Sequence, residues 1–119
     1  INDQGYMWFC IISRNISMPH PFCVIIRREV WLQCYGLDSQ YQGFYALLDL
    51  TMQALEKNWR CVSVPAIEFR SNEAYLLKDS YPQDQALFYK RWQTWLEKGD
   101  PYYNRNLVSD NQEWMYHLK

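Results

Sequence analysis

No stretch of this chain is long and apolar enough to span a bilayer. The longest apolar run, Tyr6–Ile12, is far short of the roughly 20 residues a spanning helix needs. It has no basic flank before it and no small-residue cleavage site after it, so it does not read as a signal peptide. An excess of either charge is also missing. Lys plus Arg is 12 and Asp plus Glu is 13, a formal net charge of -1. That balance argues against a nucleic-acid binder, whose affinity rests on surplus Lys and Arg. There is no C-x-x-C, and no His stands at metal-ligand spacing from any pair of Cys10, Cys23, Cys34 and Cys61. Cys10, Cys23 and Cys61 lie inside apolar runs, where free Cys behaves as a small hydrophobe. Buried, reduced thiols are the expectation, and they fit a cytoplasmic protein, either free or peripheral to a membrane. Motifs of the types G-x-S-x-G, H-E-x-x-H, G-x-x-x-x-G-K and G-x-G-x-x-G are absent. Neither a repeat nor a low-complexity segment occurs.

What is present is apolar and aromatic. The hydrophobic fraction is 49% and the aromatic fraction 18%, which excludes a disordered chain. Ten Tyr and six Trp outnumber five Phe. Rings with a polar handle suit wet-edged cores, interfaces and sugar-facing clefts. A chain of 119 residues can bury about two-thirds of its unfolded surface, enough for one core and not two. Residues 1–119 therefore read as one domain or a portion of one. The first residue is Ile1 rather than Met, as expected of a processed protein or a piece of something longer.

Along the chain, 6–12 reads as a strand and Ser13–Met18 as a polar loop. His20–Arg27 reads as a second strand, apolar on both faces and so suited to a central position. Pro21 belongs at its start. Val30, Trp31, Cys34 and Tyr35 then recur at helical spacing, with Gly36 placed for a left-handed cap. A loop over 38–43 leads into a longer helix, Phe44–Asn58, whose buried stripe is Phe44, Leu47, Leu48 and Leu55. Trp59–Val64 alternates like a strand, Pro65 interrupts it, and 66–69 resumes as an edge. Residues 71–81 read as irregular. Either Ser80 opens a capping box with Gln83, or Tyr81 caps a helix whose first residue is Pro82. Phe88, Trp92, Trp95 and Leu96 form one face of that last helix, which Gly99 and Pro101 stop. A polar, aromatic tail follows. The order gives an α/β class with a partial mixed sheet and flanking helices.

Among acids, Asp49 stands early in an apolar helix. It is read either as a carboxylate favoured by the helix macrodipole or as a general base at a cleft mouth. Asp38, after Gly36-Leu37, reads as a turn former. His20, between prolines, reads as a strand-start residue. The stretch Gly99-Asp-Pro-Tyr-Tyr-Asn-Arg-Asn-Leu107 is either a helix stop with a docking tail or a lip over a cleft.

Several of these segments, in this order, resemble the second half of bacterial family 2 glycosyltransferases of the GT-A, Rossmann-like fold, over roughly residues 17–108. Residues 109–119 form the tail beyond. The carriers are Cys23-Val-Ile-Ile-Arg-Arg-Glu29, Tyr35-Gly-Leu-Asp-Ser39, Ala46-Leu-Leu-Asp49, Trp59-Arg60 and Val62-Ser-Val-Pro65. The most specific is Asp100-Pro-Tyr-Tyr-Asn-Arg-Asn-Leu107, which departs from the family pattern only at Arg105. The resemblance implies transfer of a sugar from a nucleotide-sugar donor to a glycan or lipid-linked acceptor in polysaccharide biosynthesis, with this portion on the acceptor side. It implies Asp49 as the surviving candidate base, and Arg27, Asp38, Asp100, Tyr102, Tyr103 and Asn104 as acceptor-side or motif residues. It implies a divalent metal, Mg or Mn, in the full-length enzyme, with no cofactor evident in this portion.

Two positions depart from the pattern. The family's Glu-Asp pair falls on Ala46 and Leu47, and Phe69-Arg70-Ser71-Asn72 holds no metal-binding His. A non-catalytic glycan- or protein-binding module of the same fold is the alternative, and a small interaction protein unrelated to sugars is a third. An isolated chain is expected to leave an apolar edge or face open, and to form a homo-oligomer there.

Overall fold

The computed structural model describes residues 11–20, 23–67 and 81–103. In chain order these form β1 (Arg14–Ile16), α1 (Arg28–Gln33), α2 (Tyr45–Glu56), β2 (Cys61–Ser63) and α3 (Pro82–Lys98). Among the described residues, β1 and β2 make a two-stranded antiparallel sheet in which Arg14 faces Ser63, Asn15 faces Val62 and Ile16 faces Cys61. No described helix is long and apolar enough to cross a membrane.

The core lies between α2 and α3. Tyr45, Ala46, Leu48 and Met52 pack with Tyr41, Phe88 and Trp92, and all are buried. The Tyr45 and Phe88 rings meet with centroids 5.4 Å apart at 49°. Met18, Phe44, Leu55, Leu87, Trp95 and Leu96 close around them, half-buried. The apolar surface of α2 is wider than one stripe. Leu47, Leu50 and Ala54 lie roughly on the opposite side of the helix and line a cleft of about 720 Å³. That cleft is also bounded by residues 23–27 and by β2.

Each helix end has a local cause. Tyr81 is extended (φ -67°, ψ 119°) and Pro82 is the first helical residue of α3, where a missing N–H costs nothing. The Pro82 start is therefore the one adopted. At the end of α1, the Gly36 N–H reaches the Trp31 carbonyl (2.9 Å) and the Tyr35 N–H reaches Leu32 (3.2 Å), a Schellman closure. The left-handed residue that makes this closure is Tyr35 (φ 59°), with Gly36 (φ 72°) following it. Gly36 is still required, because a Cβ there would stand 3.0 Å from the Trp31 ring. At the end of α2, Asn58 (φ 62°) plays the part of Tyr35, with the Trp59 N–H on the Ala54 carbonyl at 3.0 Å.

The strands differ from expectation. Residues 6–10 lie outside the described residues, and Ile11 and Ile12 form a turn and a bend rather than a strand. Residues 23–27 are not a strand either, and Pro21 and Phe22 lie outside the description. Instead β1 occupies 14–16, inside the segment expected to be a polar loop. Strand state depends on a partner: 14–16 lies beside 61–63, whereas 23–27 has no described strand next to it. Of the 66–69 edge, Ala66 and Ile67 are a turn and a bend, and the rest lies outside the described residues, as does 71–80. Trp92 and Trp95, expected on one helix face and both largely buried, differ in depth. Trp92 is 5% exposed, while Trp95 is only half-buried near the open end of α3.

Trp92→Ala should lower unfolding stability by about 3–5 kcal/mol in urea titration, the usual range for emptying a Trp-sized core site. Trp92→Phe keeps most of the ring but drops its N–H, and should cost about 1–3 kcal/mol.

Candidate functional site

Three segments converge on Asp49. It sits in the second turn of α2 and is 0% exposed. Its Oδ1 accepts hydrogen bonds from Trp92 Nε1 (2.7 Å) and from the Tyr41 hydroxyl (3.3 Å). Its Oδ2 accepts from Gln53 Nε2 (2.7 Å) and from Arg91 Nη1 (3.2 Å). Gln53 is one turn along the same helix, the spacing at which side chains meet. Arg91 and Trp92 come from α3, and Tyr41 from the loop between α1 and α2.

A buried carboxylate is stable only when donors replace water, and a carboxylate offers about four acceptor positions. Here all four are taken. The macrodipole is a minor matter for Asp49, since the first turn of α2 holds no acid and four direct donors act on the carboxylate.

Asp38 joins the same network. Its Oδ1 accepts the Gln40 N–H (2.9 Å) and its carbonyl accepts the Tyr41 N–H (3.2 Å), so it forms the turn expected of it. Its Oδ2 accepts from Arg91 Nη1 at 3.1 Å. One guanidinium nitrogen thus bridges the two motif aspartates. Burial works against the Arg91 charge, but Asp49, followed by Tyr41 and Asp38, raises its pKa above the ordinary value. The Tyr41 phenol is pushed up to about 12, by burial first and then by the negative charge of Asp49, with Arg91 partly opposing.

The loop is fastened at a second point. Asp84, 2% exposed in the first turn of α3, accepts the backbone N–H groups of Gln42 (2.9 Å) and Gly43 (2.7 Å) through Oδ2. Residues 38–43 are therefore held to α3 by Arg91 at one end and Asp84 at the other.

Asp100 organises a separate cluster. Its Oδ1 accepts the Ser17 hydroxyl (2.7 Å) and the Tyr102 N–H (2.8 Å), and its carbonyl accepts the Tyr103 N–H (3.3 Å). Ser17 is 1% exposed, so the segment after α3 is tied to the residue that follows β1. Tyr102 is 37% exposed and Tyr103 half-buried. Asn104 lies outside the described residues. Arg27 stands elsewhere, on the rim of the 720 Å³ cleft, where its carbonyl receives the Trp31 N–H at the start of α1. The expected site residues thus fall into an Asp38–Asp49 group, an Asp100–Tyr102–Tyr103 group and Arg27.

Arg91, Asp84 and Tyr41 were not singled out in the sequence. Arg91 borders the apolar face of α3, and Asp84 stands two residues beyond a helix-starting Pro. Those were the available signals, but the side-chain bonds of Arg91 and Asp84 reach residues 40 or more positions away, whereas the Tyr41 hydroxyl reaches Asp49 only 8 positions on.

The divalent metal that the resemblance implies does not fit the described residues. Asp38 and Asp49 already share a cation, Arg91, and among the described residues no three of His, Cys, Asp and Glu gather as a ligand set. Of the thiols, Cys34 is buried and Cys61 half-buried, and burial raises both pKa values, with Lys57 partly opposing at Cys34. Cys23, expected to be buried within a strand, is exposed, and the segment 23–27 that holds it forms no strand.

Two measurements probe the network. Asp84→Ala removes the acceptor for two backbone donors and should cost about 2–4 kcal/mol of unfolding stability. The raised Tyr41 pKa means the folded chain holds that proton more tightly than the unfolded chain does. Its contribution is complete below about pH 10 and is lost as pH rises through about 12. Alkaline absorbance titration should show one late phenol that is missing in Tyr41→Phe.

No protein-family model matches the chain, and no solved structure matches it. The chain is 33% identical over 99 residues to the O-antigen biosynthesis protein RfbC of Myxococcus xanthus, a match that takes in 81% of this chain. It spans only 8% of that curated relative's length.

Proposed function

We propose that this chain is a portion of a polysaccharide-biosynthesis protein, and more finely the acceptor-side portion of a glycosyltransferase that uses a nucleotide-sugar donor. Similarity to a protein named for O-antigen biosynthesis, over four-fifths of the chain, supports the broader part. The finer part rests on one observation. Asp38 and Asp49, which come from two separate motif segments, meet on the same nitrogen of Arg91. Two motif residues, one opening the 38–43 loop and one in α2, thus share one cation, which α3 supplies from 42 or more residues away.

On this reading Asp49 acts by position. With Arg91 it holds Asp38 and the 38–43 loop in one geometry beside the acceptor, and it is inactive without the donor-binding portion. Transfer also needs a cation to stabilise the leaving diphosphate, and that group belongs to the rest of the enzyme.

A second reading is favoured by Ala46 and Leu47, which stand where the family carries its Glu-Asp pair. On that reading the chain is a binding module derived from the same fold, without catalysis. The whole product of the encoding gene should be assayed for nucleotide-sugar hydrolysis and transfer, beside Asp49→Asn. The transferase reading expects turnover that falls at least about tenfold in the variant, a change of roughly 1.4 kcal/mol in the barrier. The melting temperature should be recorded in parallel, so that loss of fold is separated from loss of rate. Full activity in Asp49→Asn removes Asp49 from the mechanism. Glycan binding with no turnover of any nucleotide-sugar selects the second reading.

A further inference from the structure

The cleft beside residues 23–27 is an unfinished sheet. Cys23-Val-Ile-Ile-Arg27 is β-branched and apolar, the composition of a central strand. Yet Ile25 is 82% exposed, and the N–H groups of Val24, Ile25 and Ile26 find no acceptor among the described residues. An apolar segment with unpaired backbone lacks the one partner that satisfies both needs together, which is another strand. Nearby apolar side chains share the exposure: Val62 at 45%, Val64 at 44% and Ile67 at 54%. Charge is one-sided as well. Among the described residues, the cleft is lined by Arg27, Arg60 and His20 and by no Asp or Glu, although Asp plus Glu is 13 against 12 Lys plus Arg in the whole chain. Neither Arg27 nor Arg60 makes an ion pair among the described residues.

We propose that this cleft is an interface for an apolar β-strand supplied by a longer polypeptide of which residues 1–119 are part, and that the strand pairs with residues 23–26 and presents an acidic side chain to Arg27 or Arg60. The length relation to the relative supports that source over a second copy: the matched region there is 8% of the protein, so nine-tenths of that chain is available to supply neighbours. Backbone pairing gives such an interface its affinity, and alternate side chains entering the cleft give it its register. The inference rests on the proposed reading of the chain as a portion of a longer protein and not on sugar chemistry, so failure of the transferase assay leaves it standing.

The test uses Ile25→Lys, Cys23 thiol labelling located by peptide mapping, and amide exchange at Val24–Ile26. In the 119-residue chain, Ile25→Lys should leave the melting temperature unchanged, since the side chain already faces water. In the whole gene product, the wild-type Cys23 and the three amides should react on the order of 100-fold more slowly than in the 119-residue chain. There Ile25→Lys should lower the melting temperature and restore fast labelling. Equal labelling and exchange in the two proteins overturn the proposal, as does a neutral Ile25→Lys in the whole product or a gene that encodes nothing beyond these residues. Protection that appears in the 119-residue chain only as its concentration rises, and that Ile25→Lys abolishes, overturns it in favour of a second copy.

Discussion

The described fold turns on one buried carboxylate. Asp49 touches the inter-helix loop, its own helix and α3 together, through Tyr41, Gln53, Arg91 and Trp92. An acid with no exposure would be costly without these donors, and Trp92 and Tyr41 would be buried polar groups without the acid. The cost and the compensation fix one another. That is why α3 meets α2 in one rotational setting, with Phe88 on Tyr45 and Trp92 beside Asp49.

Polar fastening of this kind gives specificity where apolar contact alone would tolerate slippage. The loop 38–43 illustrates it. It has no regular structure, yet it is held at Asp38 by Arg91 and at Gln42 and Gly43 by Asp84. A loop fixed at both ends on a rigid helix is a suitable platform for a binding or reacting group. The opposite side of α2 shows the contrary condition. There Leu47, Leu50 and Ala54 face a cleft walled by residues 23–27, whose backbone has no strand partner among the described residues. Among the described residues, α2 therefore has a packed side against α3 and a side that faces a cleft.

The helices were largely legible from the chain. Apolar spacing located α2 and α3, Pro82 marked the start of α3, and Gly99 its end. Helical hydrogen bonds join residues four apart, so the information is local. The strands were less legible: 14–16 is a strand and 23–27 is not, the reverse of what β-branched content suggests. A strand's hydrogen bonds go to a partner that can lie anywhere in the chain, and composition does not name that partner. The site divides in the same way. Asp38 and Asp49 could be picked out from motif position. Arg91, which bridges them, could not, because it is separated from them by 53 and 42 residues.

The sequence by itself therefore determined an aromatic-rich chain of helices and short strands, its two long helices, its lack of charge excess, and the acids Asp38, Asp49 and Asp100 as the residues to watch. Only the tertiary structure decided what surrounds those acids. It sealed Asp49 beneath four donors, gave Asp38 the double duty of turn former and ion-pair partner, and tied Asp100 to Ser17. The reason is physical. Spacing along a helix or a turn is set by the residues themselves, whereas the solvation and pairing of a charge are set by whatever the fold carries to it from elsewhere in the chain.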